Sequence, residues 1–194
     1  MTEKERLLED LRTGDVESRI YATEDILDFL DASVLVTLIE LFPTEKEQIV
    51  REGILNALIE GCKNESFSAK EIYSKIYDLF SHEEAYIRNQ AVVLIASINQ
   101  EDVIQFMSDQ YESSNKDVRK LVLDALSLMN LPASIMVLRK GLVDADINNK
   151  ITAIEYLTKL KDKDFPNYIY DVLGDQIETN QMIKEVVKMA IQTL

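Results

Sequence analysis

The side chains that most often carry catalysis or bind metals are scarce in this chain of 194 residues. It has one histidine, His82, and one cysteine, Cys62, which excludes a site with several imidazoles and a zinc site built from cysteines. His82 lies in the run Ser81-His82-Glu83-Glu84 at a predicted helix start, and Cys62 lies at a predicted helix end without a basic neighbour. These positions favour a surface histidine and an unreactive thiol.

The sequence also has no distinct signature of phosphate binding or of acid–base catalysis. The five glycines are widely scattered, so no glycine-rich loop could hold a phosphate group. The 35 carboxylates could supply an acid–base pair, but nothing in their spacing distinguishes one pair from the rest. The sequence therefore predicts no catalytic residue, no cofactor and no metal, and we interpret the chain as a non-enzyme.

The charge of the chain restricts its partners. Lys and Arg number 21 against 35 Asp and Glu, so the formal net charge is −14 and the pI is near 4.5. Nucleic acids and anionic membranes are bound by cationic surfaces, so neither is an expected partner. Residues Thr2 to Asp10 are mostly charged, and the longest apolar stretches, such as Ala91 to Ala96, are too short to span a bilayer. We expect a soluble, cytoplasmic protein.

Apolar residues recur at helical spacing along the chain, which predicts an all-α fold of about twelve short helices. A repeat with a mean period of about 33 residues is centred on one basic residue in each unit. These anchor bases are Arg19, Arg51, Arg88, Arg119, Lys150 and Lys184.

The anchors share their flanking residues. Apolar residues follow at +3 and +7, positions on one helix face that can be buried together: Ala22, Ile54, Ala91, Val122, Ala153 and Val187, then Ile26, Leu58, Ile95, Leu126, Leu157 and Ile191. An acid or Asn stands at −4, where it can form an i, i+4 pair with the base or complement the helix N-terminus: Asp15, Glu47, Glu84, Asn115, Asp146 and Asn180.

Three segments resemble the start of the second helix of a HEAT repeat: Ile87-Arg88-Asn89-Gln90-Ala91, Asp117-Val118-Arg119 and Ile147-Asn148-Asn149-Lys150. The similarity is strongest to the short-period HEAT units found in bacterial phycobilin-lyase-type proteins. Asn149 departs from the pattern, which has an apolar residue there. Ankyrin and tetratricopeptide repeats also have periods near 33 residues, but their Thr-Pro-Leu-His and Trp/Leu-Gly/Tyr signatures are missing.

The resemblance implies an all-α α-solenoid, an armadillo/HEAT-like right-handed superhelix of about six helical hairpins. One array would span 1–194, in units of approximately 1–31, 32–62, 63–98, 99–130, 131–161 and 162–194. The first helix of each hairpin would lie on the convex side and the second on the concave side. Positions +1 and +5 from the anchor would then face the groove, as partner-binding candidates: Glu52, Asn56, Asn89, Val93, Lys120, Asp124, Ile151 and Glu155. The same row could equally be a solvated face without a ligand.

The two ends of the array differ. Residues Met1 to Asp31 contain ten acids and four bases, which suits either a polar capping repeat or a docking face for a basic partner. The last helix has Val186 and Met189 where earlier units are mostly polar, and Tyr168 lies on the helix before it. We expect this C-terminal end to be covered by a second copy in a homodimer, by a partner or by further sequence; the alternative is that these residues only complete the internal core.

HEAT arrays mostly act as protein-binding scaffolds. The resemblance therefore implies a non-enzymatic protein–protein interaction scaffold or adaptor with a mildly acidic concave groove, whose partner is another protein, with a basic protein favoured by the charge. One alternative is an acidic inhibitor or immunity-type protein that covers a basic enzyme. Another is a HEAT-like nucleic-acid-modifying enzyme such as an alkylpurine DNA glycosylase, which the net charge and the absence of Trp disfavour.

Overall fold

The computed structural model of the chain describes residues 1–64, 70–98, 100–113, 115–129 and 131–194. Across these ranges the secondary structure is helical and contains no β-strand. The chain forms two compact units, Met1–Ile98 and Asn99–Leu194, each made of three helical hairpins. Within each unit the predicted fold class, an all-α solenoid of helical hairpins, is confirmed.

The first unit contains helices α1 to α6 in two layers. The first helices of its hairpins, α1, α3 and α5, pack side by side, and the second helices, α2, α4 and α6, form the other layer. Their bounds are α1 Glu3–Thr13, α2 Val16–Asp25, α3 Ala32–Leu41, α4 Gln48–Cys62, α5 Lys70–Asp78 and α6 Ala85–Ile98. Single 3-10 turns, Ile26–Phe29 and Leu79–Ser81, extend α2 and α5.

The second unit repeats this plan. The second helices α8, α10 and α12 pack in sequence, α7 lies beside α9, and α11 contacts the 3-10 turn Gly141–Val143 that follows α9. The bounds are α7 Glu101–Ser113, α8 Lys116–Leu128, α9 Pro132–Lys140, α10 Ile147–Lys159, α11 Phe165–Thr179 and α12 Gln181–Thr193.

The repeat register is confirmed by burial. All six residues at +3 from the anchors are buried, as are the residues at +7 except the half-buried Ile191. Each hairpin therefore presents its +3/+7 stripe to the interior of its unit, where removal of apolar area from water stabilises the fold.

The residue at −4 acts mainly as a helix cap. The side chains of Asp15, Asn115, Asp146 and Asn180 accept hydrogen bonds from backbone amides in the first turn of α2, α8, α10 and α12 respectively. Glu47 holds the same position before α4 without a side-chain cap. A cap of this kind contributes about 1 kcal/mol to helix stability.

The anchor arginines bind loops rather than the acid at −4. In the first unit, Arg19 donates to the carbonyl oxygen of Gly14 in its own hairpin and forms an ion pair with Glu45 in the next, Nε to Oε2 at 3.0 Å. Arg51 donates to the carbonyl oxygen of Glu45 and pairs with Glu84, Nη1 to Oε2 at 3.4 Å. The anchor thus connects successive repeats, which the predicted i, i+4 pairing did not anticipate.

In the second unit the corresponding connection is a buried polar cluster around Asp144, whose side chain is only 1% exposed. Arg119 binds this carboxylate with two bonds, Nε to Oδ2 at 2.7 Å and Nη2 to Oδ1 at 2.9 Å, and the hydroxyl of Tyr111 also donates to it. Asn149 is 2% exposed and donates from Nδ2 to the Lys116 carbonyl oxygen at 3.0 Å and to Asp144 at 3.3 Å. The departure from the HEAT pattern at Asn149 therefore serves this cluster.

Position 53 requires a glycine because two helices approach each other closely there. A β carbon added to Gly53 on α4 would lie 2.3 Å from Oγ1 and 2.7 Å from Cβ of Thr23, a buried residue on α2. We expect Gly53→Ala to lower the free energy of unfolding by about 1–3 kcal/mol, since α2 and α4 must move apart. Urea denaturation measures the change.

Gly174 on α11 is the matched control. Apart from its chain neighbours and the backbone of its own helix, no heavy atom of the described structure lies within 4 Å of a β carbon added there. Gly174→Ala should raise the free energy of unfolding by about 0.5–1 kcal/mol, because alanine restricts the unfolded chain and favours the helix. A Gly53→Ala protein as stable as the wild type would contradict the close approach.

Candidate functional site

The groove residues predicted from the sequence all lie on second helices. Six are exposed, namely Glu52, Asn56, Asn89, Val93, Lys120 and Glu155, and two, Asp124 and Ile151, are half-buried. In the first unit Glu52 accepts a hydrogen bond from Gln48 Nε2 at 2.8 Å, one turn earlier on α4. This part of the face is polar apart from Val93.

In the second unit the structure brings two of the predicted residues into contact. Lys120 and Asp124, one turn apart on α8, form an ion pair of 2.8 Å. Tyr156 on α10 donates its hydroxyl to Asp124 Oδ1 at 2.6 Å. Burial raises the pKa of Tyr156, and the hydrogen bond to Asp124 raises it further. Sequence reasoning missed Tyr156, although it stands at a fixed position, six residues after the anchor Lys150.

The next pair of second helices, α10 and α12, has an open groove of about 290 Å³ between its two members. We call it the α10–α12 groove; its lining residues are Ile154, Glu155, Thr158, Lys159, Val186, Met189, Ala190 and Thr193. It combines Glu155 of the predicted row with Val186 and Met189 of the predicted C-terminal interface, which were predicted as separate surfaces.

The surface of this groove is mainly apolar. Ile154 and Ala190 are buried at its base, Val186 is half-buried, and Met189 is 65% exposed. Thr158 and Thr193 donate their hydroxyl groups to the carbonyl oxygens of Ile154 and Met189 in their own helices. These hydroxyls are therefore satisfied, and the charged side chains of the groove are Glu155 and Lys159.

Tyr168 does not line the α10–α12 groove. Its hydroxyl donates to the buried carboxylate of Asp162 at 2.5 Å, and Arg139 lies over its ring, 4.5 Å from the centroid. Arg139 also binds Asp162 through Nε and Nη2 at 2.9 and 2.6 Å. Tyr168 is thus half-buried in a polar cluster of its own. Its proposed contribution to an interface remains a prediction.

Neither of the two chemically distinctive side chains forms a catalytic arrangement. Cys62 is buried, and burial raises the pKa of its thiol to about 12, so the thiolate is scarce at neutral pH. Nδ1 of His82 accepts a hydrogen bond from the Glu84 amide at 3.1 Å.

Where the chain is described, no three His, Cys, Asp or Glu side chains are grouped as metal ligands. Within that same part, every helix is too short or too polar to cross a bilayer.

A match to a family model supports the repeat assignment. A family model described as HEAT repeats matches residues 73–157. No curated protein matches the chain. A crystal structure of an engineered protein from the Northeast Structural Genomics Consortium is similar at 16% sequence identity and a TM-score of 0.44, over 100% of this chain and 96% of that one. The likeness to phycobilin-lyase-type units is not tested by these matches. By the family match and the confirmed register, residues 73–157 of this chain are HEAT repeats.

Proposed function

We propose that this chain is a non-enzymatic scaffold that binds another protein through the second-helix face of residues 99–194. HEAT repeats generally mediate protein interactions, and that general role applies here. The observation that carries the specific proposal is the α10–α12 groove, which leaves Met189 65% exposed beside a buried apolar base. Exposed apolar surface rimmed by polar groups is typical of protein-binding sites.

A second cleft, of about 520 Å³ between α7 and α9, is the competing surface. It lies in the first-helix layer and is more polar. Lys140 at its edge donates to Ser108 Oγ at 2.9 Å and pairs with Glu112 at 3.0 Å. Met136 on α9 is 70% exposed there and so matches Met189 in residue type and exposure.

Met189→Glu should remove partner binding while Met136→Glu preserves it. A carboxylate at position 189 would have to be desolvated against the apolar groove, which we expect to weaken binding at least tenfold. The measurement is quantitative mass spectrometry of proteins captured by the wild type and by the two variants. A partner that is retained by Met189→Glu and lost with Met136→Glu would move the site to the α7–α9 cleft and contradict the proposal.

The nature of the partner is a further part of the proposal. The first unit carries 20 acids against 10 bases up to Ser97, and its exposed acids include Glu17, Glu24 and Asp28 on or next to α2. This supports a basic partner, and equally the alternative of an acidic inhibitor covering a basic enzyme. The α10–α12 groove itself has one charge of each sign, so we expect it to contribute apolar contact while the acids of the first unit accelerate association.

A homodimer through α12 stays an expectation, supported by the exposure of Met182 and Met189.

A further inference from the structure

In three of the repeats, two positions on the second helix show how the space next to the preceding second helix is filled or left open. They lie at +2 and +6 from the anchor, on the side that faces the preceding helix. In the repeat 32–62 they are Gly53 and Ala57, and the absence of a side chain at Gly53 allows α4 to approach Thr23 on α2 closely. Small residues at both positions thus close this gap by contact between the helices.

The repeat 131–161 closes the gap by another means. Its residues at +2 and +6 are Thr152 and Tyr156. The side chain of Tyr156 extends from α10 to α8, where its hydroxyl donates to Asp124, the residue at +5 of the preceding repeat. A phenol ring with a hydroxyl that meets a carboxylate therefore occupies the space between these two helices.

The repeat 162–194 has Val186 at +2 and Ala190 at +6. Valine is too large for the close approach made at Gly53, and the methyl group of Ala190 does not fill the space that Tyr156 fills one repeat earlier. The α10–α12 groove is the result. In this groove the residue that corresponds to Asp124 is Glu155, at +5 of the preceding repeat. Glu155 is exposed, and among the described residues no donor forms a hydrogen bond with it.

We propose that the α10–α12 groove binds a tyrosine side chain presented by a segment of the partner protein. The ring would lie between Val186 and Met189, where contact between a thioether and an aromatic ring is favourable, and the hydroxyl would donate to Glu155. The bound tyrosine would thus reproduce the contact between Tyr156 and Asp124. Lys159 on the rim disfavours an incoming ammonium or guanidinium group, and phenylalanine has no donor for Glu155. This inference rests on the proposed function and adds the chemistry of the ligand.

The test uses p-cresol, which has the tyrosine side-chain structure, and toluene, which has that of phenylalanine. Titration of the 15N-labelled full chain should shift amide signals of α10 and α12, including those of Glu155 and Met189. Toluene should bind several-fold more weakly, because it cannot donate to Glu155. Equal binding of both probes, or shifts that do not centre on this groove, would overturn the proposal.

Three variants examine the contacts. Ala190→Tyr should block p-cresol binding from within the chain, since position 190 corresponds to Tyr156 of the preceding repeat. Glu155→Gln should weaken p-cresol binding by about five- to tenfold, because a neutral amide oxygen accepts a weaker hydrogen bond than a carboxylate does. Glu185→Gln removes the same charge from an exposed position on α12 outside the groove and should change nothing. If Ala190→Tyr fails to fold, the Glu155→Gln result and the toluene comparison decide the question.

A short alanine-based helical peptide with one central tyrosine separates a protein ligand from a free phenol. It should bind more tightly than p-cresol, and its Tyr→Phe version more weakly. If p-cresol binds and the peptide does not, the site takes small phenols and the proposed protein ligand is wrong. If neither binds while Met189→Glu still removes a partner, the tyrosine inference fails and the proposed function stands.

Discussion

Asp144→Asn should destabilise the second unit by about 3 kcal/mol, the largest effect we expect from a single substitution that conserves size. The Asp144 side chain is 1% exposed, whereas that of Arg119 is 18% exposed. Removing one partner of a buried ion pair costs about 3–5 kcal/mol, because the other charge stays desolvated and uncompensated. Partial exposure of Arg119 places the expected cost at the lower end. Urea denaturation of the full chain measures it.

The hydrogen bonds of Tyr111 and Asn149 extend the argument beyond one pair. Both side chains donate to Asp144, so the substitution also weakens two further buried hydrogen bonds. A double-mutant cycle of Asp144→Asn with Arg119→Met isolates the coupling between the two charged groups. We expect a coupling of at least about 1 kcal/mol.

Glu3→Gln is the matched control, since it also converts a carboxylate to an amide. Glu3 pairs with Arg6 on the surface of α1, where the two side chains are 55% and 49% exposed. An exposed pair contributes about 0–1 kcal/mol, so the control should be nearly as stable as the wild type. Similar losses in the two variants would mean that burial of Asp144 has no special role.

The periodic part of this fold could be predicted from the sequence because it depends on helix geometry alone. The +3/+7 stripe is buried throughout both units except at the half-buried Ile191, and the −4 position lies at the N-terminus of a second helix. Both follow from the 3.6-residue turn and from the unpaired amides at a helix start.

The connections between repeats could not be predicted in this way. The register places an acid six residues before the anchor at Glu45 and at Asp144, and each pairs with the anchor of the preceding repeat. The acids at −6 are visible in the sequence. However, the acid at −4 from the same anchor is an equally suitable partner for an arginine. Only the stacking distance between hairpins decides which carboxylate the arginine reaches.

Three residues of the α10–α12 groove, Glu155, Val186 and Met189, were predicted from the sequence as binding candidates, but not as one surface. Glu155 and Met189 belong to different repeats, and the sequence places both at +5 of the anchor. Their meeting in one groove depends on the gap between α10 and α12, which follows from the volumes of Val186 and Ala190 and not from hydrophobic periodicity. Side-chain volume at an interface between helices has no counterpart in the pattern of apolar and polar residues.

Lowering the pH should unfold the second unit before the first. Burial by itself would raise the pKa of the Asp144 and Asp162 carboxyls, but hydrogen bonds from Arg119 and Tyr111, and from Arg139 and Tyr168, hold both below the ordinary value. The unfolded chain therefore takes up protons first as the pH falls, and the free energy of unfolding decreases. The free energy of unfolding should stay near its neutral-pH value above about pH 5. At lower pH it should fall by on the order of a few kcal/mol.

The first unit should be less sensitive because its shifted carboxyls are solvated. The hydrogen bond from Lys4 lowers the pKa of Asp31, but that side chain is 46% exposed, so solvent screens the pair. Hydrogen exchange at stepwise lower pH should therefore show amides of Asn99–Leu194 opening before those of Met1–Ile98. In the double variant Asp144→Asn/Asp162→Asn the fall with pH should be shallower, since the groups that bind the extra protons are gone. A fall as steep as in the wild type would place the acid sensitivity in other carboxylates and contradict the assignment to these two clusters.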